Sequence, residues 1–314
     1  MKKVVILARS FARATKEPLV LFEKAGIPVE VKKNQEPENE LVVAGLIGDA
    51  GGVLVGMDRV GEEVFTRCPG LQVVSKHGVG VDNIDCEAAK RHGVVVTNAP
   101  GTNSESVAEM AFTLMLLLAR KIPHFFQQMN RKEWGATLFG NELEGKTLGI
   151  VGFGRIGRTI ARFARAFGMT VIFFDPLVPE GTGEGQRVDI PELFRRSDYV
   201  SLHAPLTAET REMVNETLLS LMKKSACLIN TSRGELINEK DLYRALKEGT
   251  IAGAGVDVFT HEPPFENPLL ALSNVIATPH ISSHTVEANR KMGSIAAENI
   301  IRVLRGEEPL YRVV

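Results

Sequence analysis

Short apolar runs alternate with helix-length segments through the first hundred residues. KKVVILA (2–8), GGVLVG (51–56), LQVVSK (71–76) and GVVVTN (93–98) read as strands, and 16–25 and 83–92 as helices. Apolarity within the strand runs is continuous rather than alternating, so both sheet faces are covered, as in a parallel α/β sheet. A break falls at NAPGTNSESVAE, where Pro100-Gly101 interrupts the pattern and Thr102 with Glu105 forms a capping box. The helix that follows carries Val107, Met110, Ala111, Leu114, Leu117 and Leu118 on one face. We expect it to open a second domain and to act as a hinge. AFTLMLLLAR (111–120), the longest apolar block, is closed by Glu109 and Arg120 at about half a membrane-spanning length. It reads as a buried helix.

From KTLGIVGFGRIGR the strand–helix alternation restarts, with strands expected at 147–152, 170–174, 198–203, 226–231, 252–257 and 274–278. Six strands are the content of a complete doubly wound nucleotide-binding sheet. The last helix, 286–307, is expected to return to the first domain, making that domain discontinuous, with its cleft facing the second. The expected division is therefore 1–100 with 286–314, and 101–285.

Length and charge narrow the classes. A chain of 314 residues suits two domains of about 150 each. A net charge of −1 provides no electrostatic footprint for nucleic acid or an anionic membrane. Cys68, Cys86 and Cys227 are scattered without a C-x-x-C, which argues against a disulfide framework or a zinc site and fits a reducing cytoplasm. MKKVVILARS imitates a signal peptide, yet its apolar run is five residues long and lacks a small-residue cleavage site. It reads as a first strand.

Gly152, Gly154 and Gly157 form G-x-G-x-x-G directly after LGIV and before RIGRTIARFARAFG. The glycines provide a tight turn, backbone approach to a pyrophosphate, and close helix–strand packing, while the helix start offers free N–H groups to phosphate. A second strand, TVIFFD, ends in Asp175, 18 residues past the third glycine, near the spacing of a carboxylate that binds the adenosine ribose. Such a carboxylate repels a 2′-phosphate and favours NAD over NADP. Asp175 also has a plain reading as a cap or turn residue before Pro176, and S-adenosylmethionine is a rival ligand for the glycine turn.

Three further strand ends carry polar residues. CLINTSRGELI leads to Arg233, GAGVDVFTHEPP to Asp257 and Glu262, and IATPHISSHT to His280. Separately these read as a surface cation, a loop charge and a strand cap. Together they place Arg, Glu and His at the edge where open α/β sheets bind ligands. Hydride transfer to a 2-oxo acid needs a planar cationic fork for the carboxylate and carbonyl, which Arg supplies. It also needs a general acid for the developing alkoxide, a role suited to His, with a carboxylate to fix the ring.

The sequence resembles the D-isomer-specific 2-hydroxyacid dehydrogenase family, most of all its D-3-phosphoglycerate dehydrogenase branch. The resemblance is carried by KHGVGVDNIDCEAAKRHGVVVTNAPGTNSESVAE, GKTLGIVGFGRIGR, FFDP, LHAPLT, NTSRGELINEKDL, AGAGVDVFTHEPP and TPHISSHT, over essentially the whole chain. It implies a discontinuous flavodoxin-like substrate domain and a Rossmann NAD-binding domain. It implies catalytic Arg233, Glu262 and His280, with His280 as acid/base, and a substrate carboxylate gripped by the backbone of Gly78-Val79-Gly80. It places NAD on Arg155-Ile156, Asp175, Ala204-Pro205, Thr231 and Asp257, beside the glycine motif, and implies a homodimer built through the cofactor domains.

The chain departs from the phosphoglycerate branch at two points. It ends at Val314, without the regulatory C-terminal domains of many such enzymes. Where the branch often carries a phosphate-binding arginine, after GGVLV, stands Gly56. Lys76 or Arg131 could supply that cation, or each is a solvated surface charge. Hydroxypyruvate, glyoxylate or another small 2-oxo acid is therefore an alternative substrate. An alternative of another class is an NAD(H)-sensing, corepressor-like binding protein, against which stands the lack of a long disordered tail or basic stripe.

Overall fold

The computed structural model describes residues 2–135, 138–179 and 184–314. It divides into two compact units, Met1–Asn103 with Ser283–Val314, and Ser104–Ser282.

The first unit runs β1 (Val4–Ile6), α1 (Glu17–Ala25), β2 (Val29–Val31), α2 (Glu40–Ile47), β3 (Gly52–Val55), α3 (Glu62–Arg67), β4 (Val73–Lys76), α4 (Cys86–Arg91) and β5 (Val95–Thr97). The strands form one parallel sheet in the order β2-β1-β3-β4-β5. Both faces are covered, which is why the strand sequences are apolar throughout. Val5, Val53 and Val74 pack with Val43, Ile47, Val64 and Phe65 of α2 and α3. Val4, Ile6, Leu54 and Val73 pack on the other side with Phe22 of α1 and with Ala296, Ala297, Ile300 and Ile301. Those last four belong to the final helix, Val286–Leu304, capped by Thr285, whose side chain accepts from the Ala288 N–H. Each fully buried Val, Leu or Ile stabilises the sheet by roughly 1.5–3 kcal/mol before entropy is counted. Beyond the helix, the Val313 N–H donates to the Val96 carbonyl at 2.8 Å, so the chain end lies along β5.

The second unit runs α5 (Ser104–Ala119), α6 (Ile122–Asn130), β6 (Thr147–Val151), α7 (Arg155–Ala166), β7 (Thr170–Phe174), β8 (Gln186–Arg187), α8 (Ile190–Arg196), β9 (Tyr199–Leu202), α9 (Glu216–Leu221), β10 (Cys227–Asn230), α10 (Glu239–Lys247), β11 (Gly253–Val256) and β12 (Val275–Ala277). Its parallel sheet has the order β12-β11-β10-β9-β6-β7-β8. α5 and α7 cover one face through Leu114, Leu118, Ile160 and Ala164 against Leu148, Ile150, Phe173 and Ile229. On the other face Leu193, Leu219, Leu242 and Leu246 of α8 to α10 pack against Ile172, Val200, Leu228 and Val256. Among the described residues no helix is long and apolar enough to cross a membrane.

Both sheets are doubly wound and parallel, as the apolar runs indicate, with two strands beyond those expected. β2 (VEV) is a half-exposed to exposed edge strand of three residues, and β8 is an edge pair of two. Neither has the apolar run that marks a buried strand. The start of α5 also differs from the capping box. The Thr102 hydroxyl donates to the Ala99 carbonyl at 2.7 Å, and Glu105 reaches Arg162 at 3.1 Å instead of the chain behind it. With the helix beginning at Ser104, Thr102 lies one residue too early to cap it. The buried face of α5 includes Val107, Ala111, Leu114 and Leu118 as expected and widens to Ala108, Phe112 and Met115, while Met110 and Leu117 are only half-buried.

Candidate active site

The chemistry-bearing side chains of the second unit stand on loops after the C-terminal ends of β10, β11 and β12, adjacent strands of one sheet. His280 follows β12 by three residues and has a left-handed backbone, φ +53°. A non-glycine residue in that region costs on the order of 1 kcal/mol or more unless its surroundings impose it. Here the surroundings do. The His280 N–H donates to the Asp257 carbonyl at 2.9 Å. The Asp257 carboxylate accepts from the Thr278 hydroxyl, the Ile281 and Ser282 N–H groups and the Ser282 hydroxyl, at 2.5–2.9 Å. Asp257 is fully buried, so these bonds bind both flanks of His280 to β11 in low-dielectric surroundings.

The His280 ring meets Glu262 at 2.8 Å from Nδ1 to Oε2, with the two side chains 37% and 26% exposed. The other oxygen of Glu262 accepts from the Phe259 N–H at 3.1 Å. Burial pushes the Glu262 carboxyl upward, but the hydrogen bond and charge of His280, the Phe259 amide and the charge of Arg233 outweigh it. The carboxyl lies below the usual glutamate value. Arg233 is half-buried, and its guanidinium donates to the Ser232 carbonyl at 2.7 Å. The Asn230 side chain holds the Arg233 carbonyl at 2.7 Å. Gly234 lets this loop pass the next one, since a Cβ there would lie 2.0 Å from the Phe259 carbonyl carbon.

At the centre of the same sheet edge β6 leads into Gly152, with φ +91° and no room for a side chain. A Cβ would stand 2.6 Å from the backbone carbon of His203 and 2.7 Å from the Ala204 nitrogen. Gly154 caps α7, Arg155 and Ile156 begin it, and Gly157 is buried against the Gly152 carbonyl. Asp175 ties β7 to this turn, with one oxygen accepting from the Phe153 N–H at 2.7 Å and the other from the Leu177 N–H at 2.8 Å. Each oxygen retains lone-pair capacity for a further donor. Two buried polar atoms lack a protein partner here, Thr231 Oγ1 and His203 Nδ1, and burial pushes the His203 imidazole down to about 3. β6 lies between β9 and β7 where strand order reverses, the place at which such sheets bind nucleotides.

In the first unit β4 ends at Lys76 and runs into Gly78-Val79-Gly80. The Gly78 carbonyl accepts from the Ala99 N–H at 2.9 Å and the Val79 carbonyl from the Asn98 side chain at 2.8 Å. Lys76 is buried and donates to the Gly56 carbonyl at 2.5 Å and Asn83 Oδ1 at 2.6 Å. These bonds make it a strut between strand ends. Arg131 is paired with both oxygens of Glu133, each at 3.0 Å. Asp257, expected to touch the cofactor, has a carboxylate filled by the protein's own donors. Thr278 and Ser282, which fix the His280 turn through it, were not singled out from the sequence. Their signal was the pair of hydroxyl residues flanking Pro279-His280. A cavity of about 620 Å³, lined by Leu116, Arg120, Asn141, Arg165 and Phe167 among others, lies where β6 begins and α7 ends, away from these residues.

Residues 112–282 match the family model described as "D-isomer specific 2-hydroxyacid dehydrogenase, NAD binding domain". The glyoxylate reductase of Korarchaeum cryptofilum is 40% identical over 291 residues, 90% of this chain and 88% of that protein. This chain belongs to the D-isomer specific 2-hydroxyacid dehydrogenase family. It is an NAD-dependent oxidoreductase. The D-3-phosphoglycerate dehydrogenase of Methanocaldococcus jannaschii is 49% identical over 254 residues, 79% of this chain, and the match spans 48% of that protein, about half its length. A crystal structure of a glyoxylate reductase from Paecilomyes thermophila superimposes with a TM-score of 0.86 at 30% identity, covering 99% of this chain and 98% of that one. The family's cofactor fits the residues present. The cradle at Gly152 excludes any Cβ, and the unpartnered Thr231 hydroxyl lies at the end of β10, two strands away in the same sheet.

Proposed function

We propose that this chain interconverts a D-2-hydroxy acid and its 2-oxo acid in the manner of a D-3-phosphoglycerate dehydrogenase, with His280 as acid/base. The observation that carries the reading is the 2.8 Å contact between His280 and Glu262 at the C-terminal edge of the NAD-binding sheet. Glu262 accepts a hydrogen bond from the Nδ1–H and leaves Nε2 to exchange a proton with the substrate oxygen. In reduction His280 protonates the alkoxide as it forms; in oxidation it removes the hydroxyl proton. Arg233 holds the substrate carboxylate and polarises the oxo group with its planar fork. In the first unit we assign a carboxylate grip to the backbone of Gly78, Val79 and Gly80. Gly152, Gly154, Arg155, Ile156, Gly157, Asp175, Ala204, Pro205 and Thr231 would hold NAD, with Asp257 acting through the His280 turn, and the cofactor would supply or accept the hydride.

A second substrate reading is reduction of hydroxypyruvate or glyoxylate. It is favoured by the absence of a side chain at Gly56 and by the engagement of Lys76 and Arg131 with protein partners. Steady-state NADH oxidation with 3-phosphohydroxypyruvate, hydroxypyruvate and glyoxylate tests both. Turnover of any of the three supports the enzyme reading, and the largest kcat/KM chooses the substrate. NADH binding with no turnover of any 2-oxo acid would overturn it in favour of a sensing protein. We place the chain in the cytoplasm as a homodimer. Its three free cysteines support the first. The second is supported by Ile122, Phe126, Met129, Trp134, Leu138 and Phe139, large apolar side chains exposed within one stretch of sequence.

A further inference from the structure

We infer that Arg9 is the specificity-determining cation of this enzyme, holding a second anionic group, a phosphate or a carboxylate, at the far end of the 2-oxo acid. The inference rests on the dehydrogenase reading and assigns that reading its substrate class. The first sheet has the order β2-β1-β3-β4-β5, whose reversal point is between β1 and β3, and ligands of such sheets bind at the C-terminal strand ends there. Arg9 and Ser10 follow β1 at that point, and Gly56 follows β3. The two strand ends approach closely, a Cβ on Gly56 lying 3.4 Å from the Ala8 Cα. On the β3 side Gly56 cannot receive an anion, because it has no side chain and its backbone is occupied. Its N–H donates to Asp58 Oδ2 at 3.1 Å and its carbonyl accepts from Lys76 and Asn83. Arg59 beyond it is paired with Glu40 at 3.1 Å.

Arg9 is exposed, and its guanidinium donates through Nη2 to the Asn34 carbonyl at 2.5 Å. Among the described residues no carboxylate lies within ion-pair distance of it. Four of its five N–H donors therefore remain for a ligand. The anchor is rigid. Asn34 is 2% exposed, and its side chain donates to Asp58, itself 4% exposed, at 2.8 Å while accepting from the Glu36 N–H at 3.0 Å. A guanidinium oriented before the ligand arrives loses less entropy on binding than a loose one. The next residue connects this cation to the proposed carboxylate grip. Ser10 Oγ meets His77 Nδ1 at 3.1 Å, and His77 is buried directly before Gly78. The Asn289 side chain of the final helix holds the Ser10 carbonyl at 2.7 Å, and the Phe11 ring stands edge-on to His77. Arg9 and Gly78 thus flank the two ends of one hydrogen bond. A carboxylate held at Gly78-Val79-Gly80 leaves the far end of a short acid to Arg9.

The test compares substrates on the same preparation of the full chain, so the active fraction cancels. kcat/KM is measured for 3-phosphohydroxypyruvate, for a four-carbon dicarboxylic 2-oxo acid and for hydroxypyruvate, in the parent, Arg9→Gln and Arg9→Lys. The parent should favour one of the two anionic substrates over hydroxypyruvate, and which one it favours identifies the anion. Arg9→Gln should reduce that preference by about 10- to 100-fold, the scale of one lost hydrogen-bonded charge contact, with the change in KM rather than kcat. Arg9→Lys should restore part of it. A preference unchanged within about threefold in Arg9→Gln, an interval below the loss of one such contact, would overturn the inference, as would a parent that favours hydroxypyruvate over both anions. Either result leaves the dehydrogenase reading standing on hydroxypyruvate turnover. Failure to reduce any of the three acids would remove both.

Discussion

An ammonium could replace the charge of Arg233 but not its planar fork. Arg233→Lys should therefore lose about 10²-fold or more in kcat/KM, the scale of a lost transition-state contact, in steady-state assays with the best 2-oxo acid. A variant within threefold of the parent would place Arg233 away from the reacting atoms. Glu262 sets the sign of a pH effect. Its carboxyl is below the usual glutamate value, so the carboxylate that orients His280 is present above that lowered pKa and disappears as pH falls through it. Reduction should therefore fade on the acid side, below about 4.3, the ordinary glutamate value. Glu262→Gln has no proton to accept there. Its kcat/KM–pH profile should lack that acid-side fade, at a general cost of about 10- to 100-fold in rate. If the fade persisted, it would belong to another group. Arg, Glu and His could be selected in the sequence because each ends an apolar run. What could not be read were their neighbours. That Lys76 spans Gly56 and Asn83, or that Arg131 pairs with Glu133, depends on side-chain positions that strand periodicity does not fix.

The turn from β6 to α7 shows what an element requires of one position. Gly152 combines φ +91° with backbone atoms 2.6–2.7 Å from where a Cβ would be, and backbone cannot move aside as a flexible side chain can. Gly152→Ala should weaken NADH binding by about 5- to 150-fold, since overpacking of this kind costs typically about 1–3 kcal/mol. Fluorescence titration of NADH would measure it; an unchanged Kd would mean that the turn has slack. Ten strands announced themselves through apolar runs because both sheet faces are buried. β2 and β8 did not, being short edge strands whose residues face water. The start of α5 was misread for a related reason. Thr102 and Glu105 have the spacing of a cap, but the Ala99 carbonyl and Arg162 offered better partners through the fold.

Across the whole molecule, the most conspicuous apolar surface is on one stretch of the second unit. Phe126, Trp134 and Phe139 are largely exposed, and Met129 accompanies them. Leaving such side chains in water forgoes roughly 1.5–3 kcal/mol for each one that a partner would bury. The protein should sediment as a dimer, and Phe126→Glu with Phe139→Glu should shift it toward monomer in sedimentation equilibrium. A monomeric parent would remove the proposed interface.

The first unit takes strands from one end of the chain and a helix from the other. Its core needs Ala296, Ala297, Ile300 and Ile301 beside Val4, Ile6 and Leu54, and β5 is flanked by Val313. Synthesis proceeds from the N-terminus, so Val4–Thr97 emerges first and must wait, with one sheet face covered by α1 alone, until residues 286–314 are made. Ser104–Ser282, born later, has its whole sheet in hand before the last helix appears. On the ribosome the order of completion is therefore the reverse of the order of birth, and the earliest strands are the ones longest exposed to a chaperone.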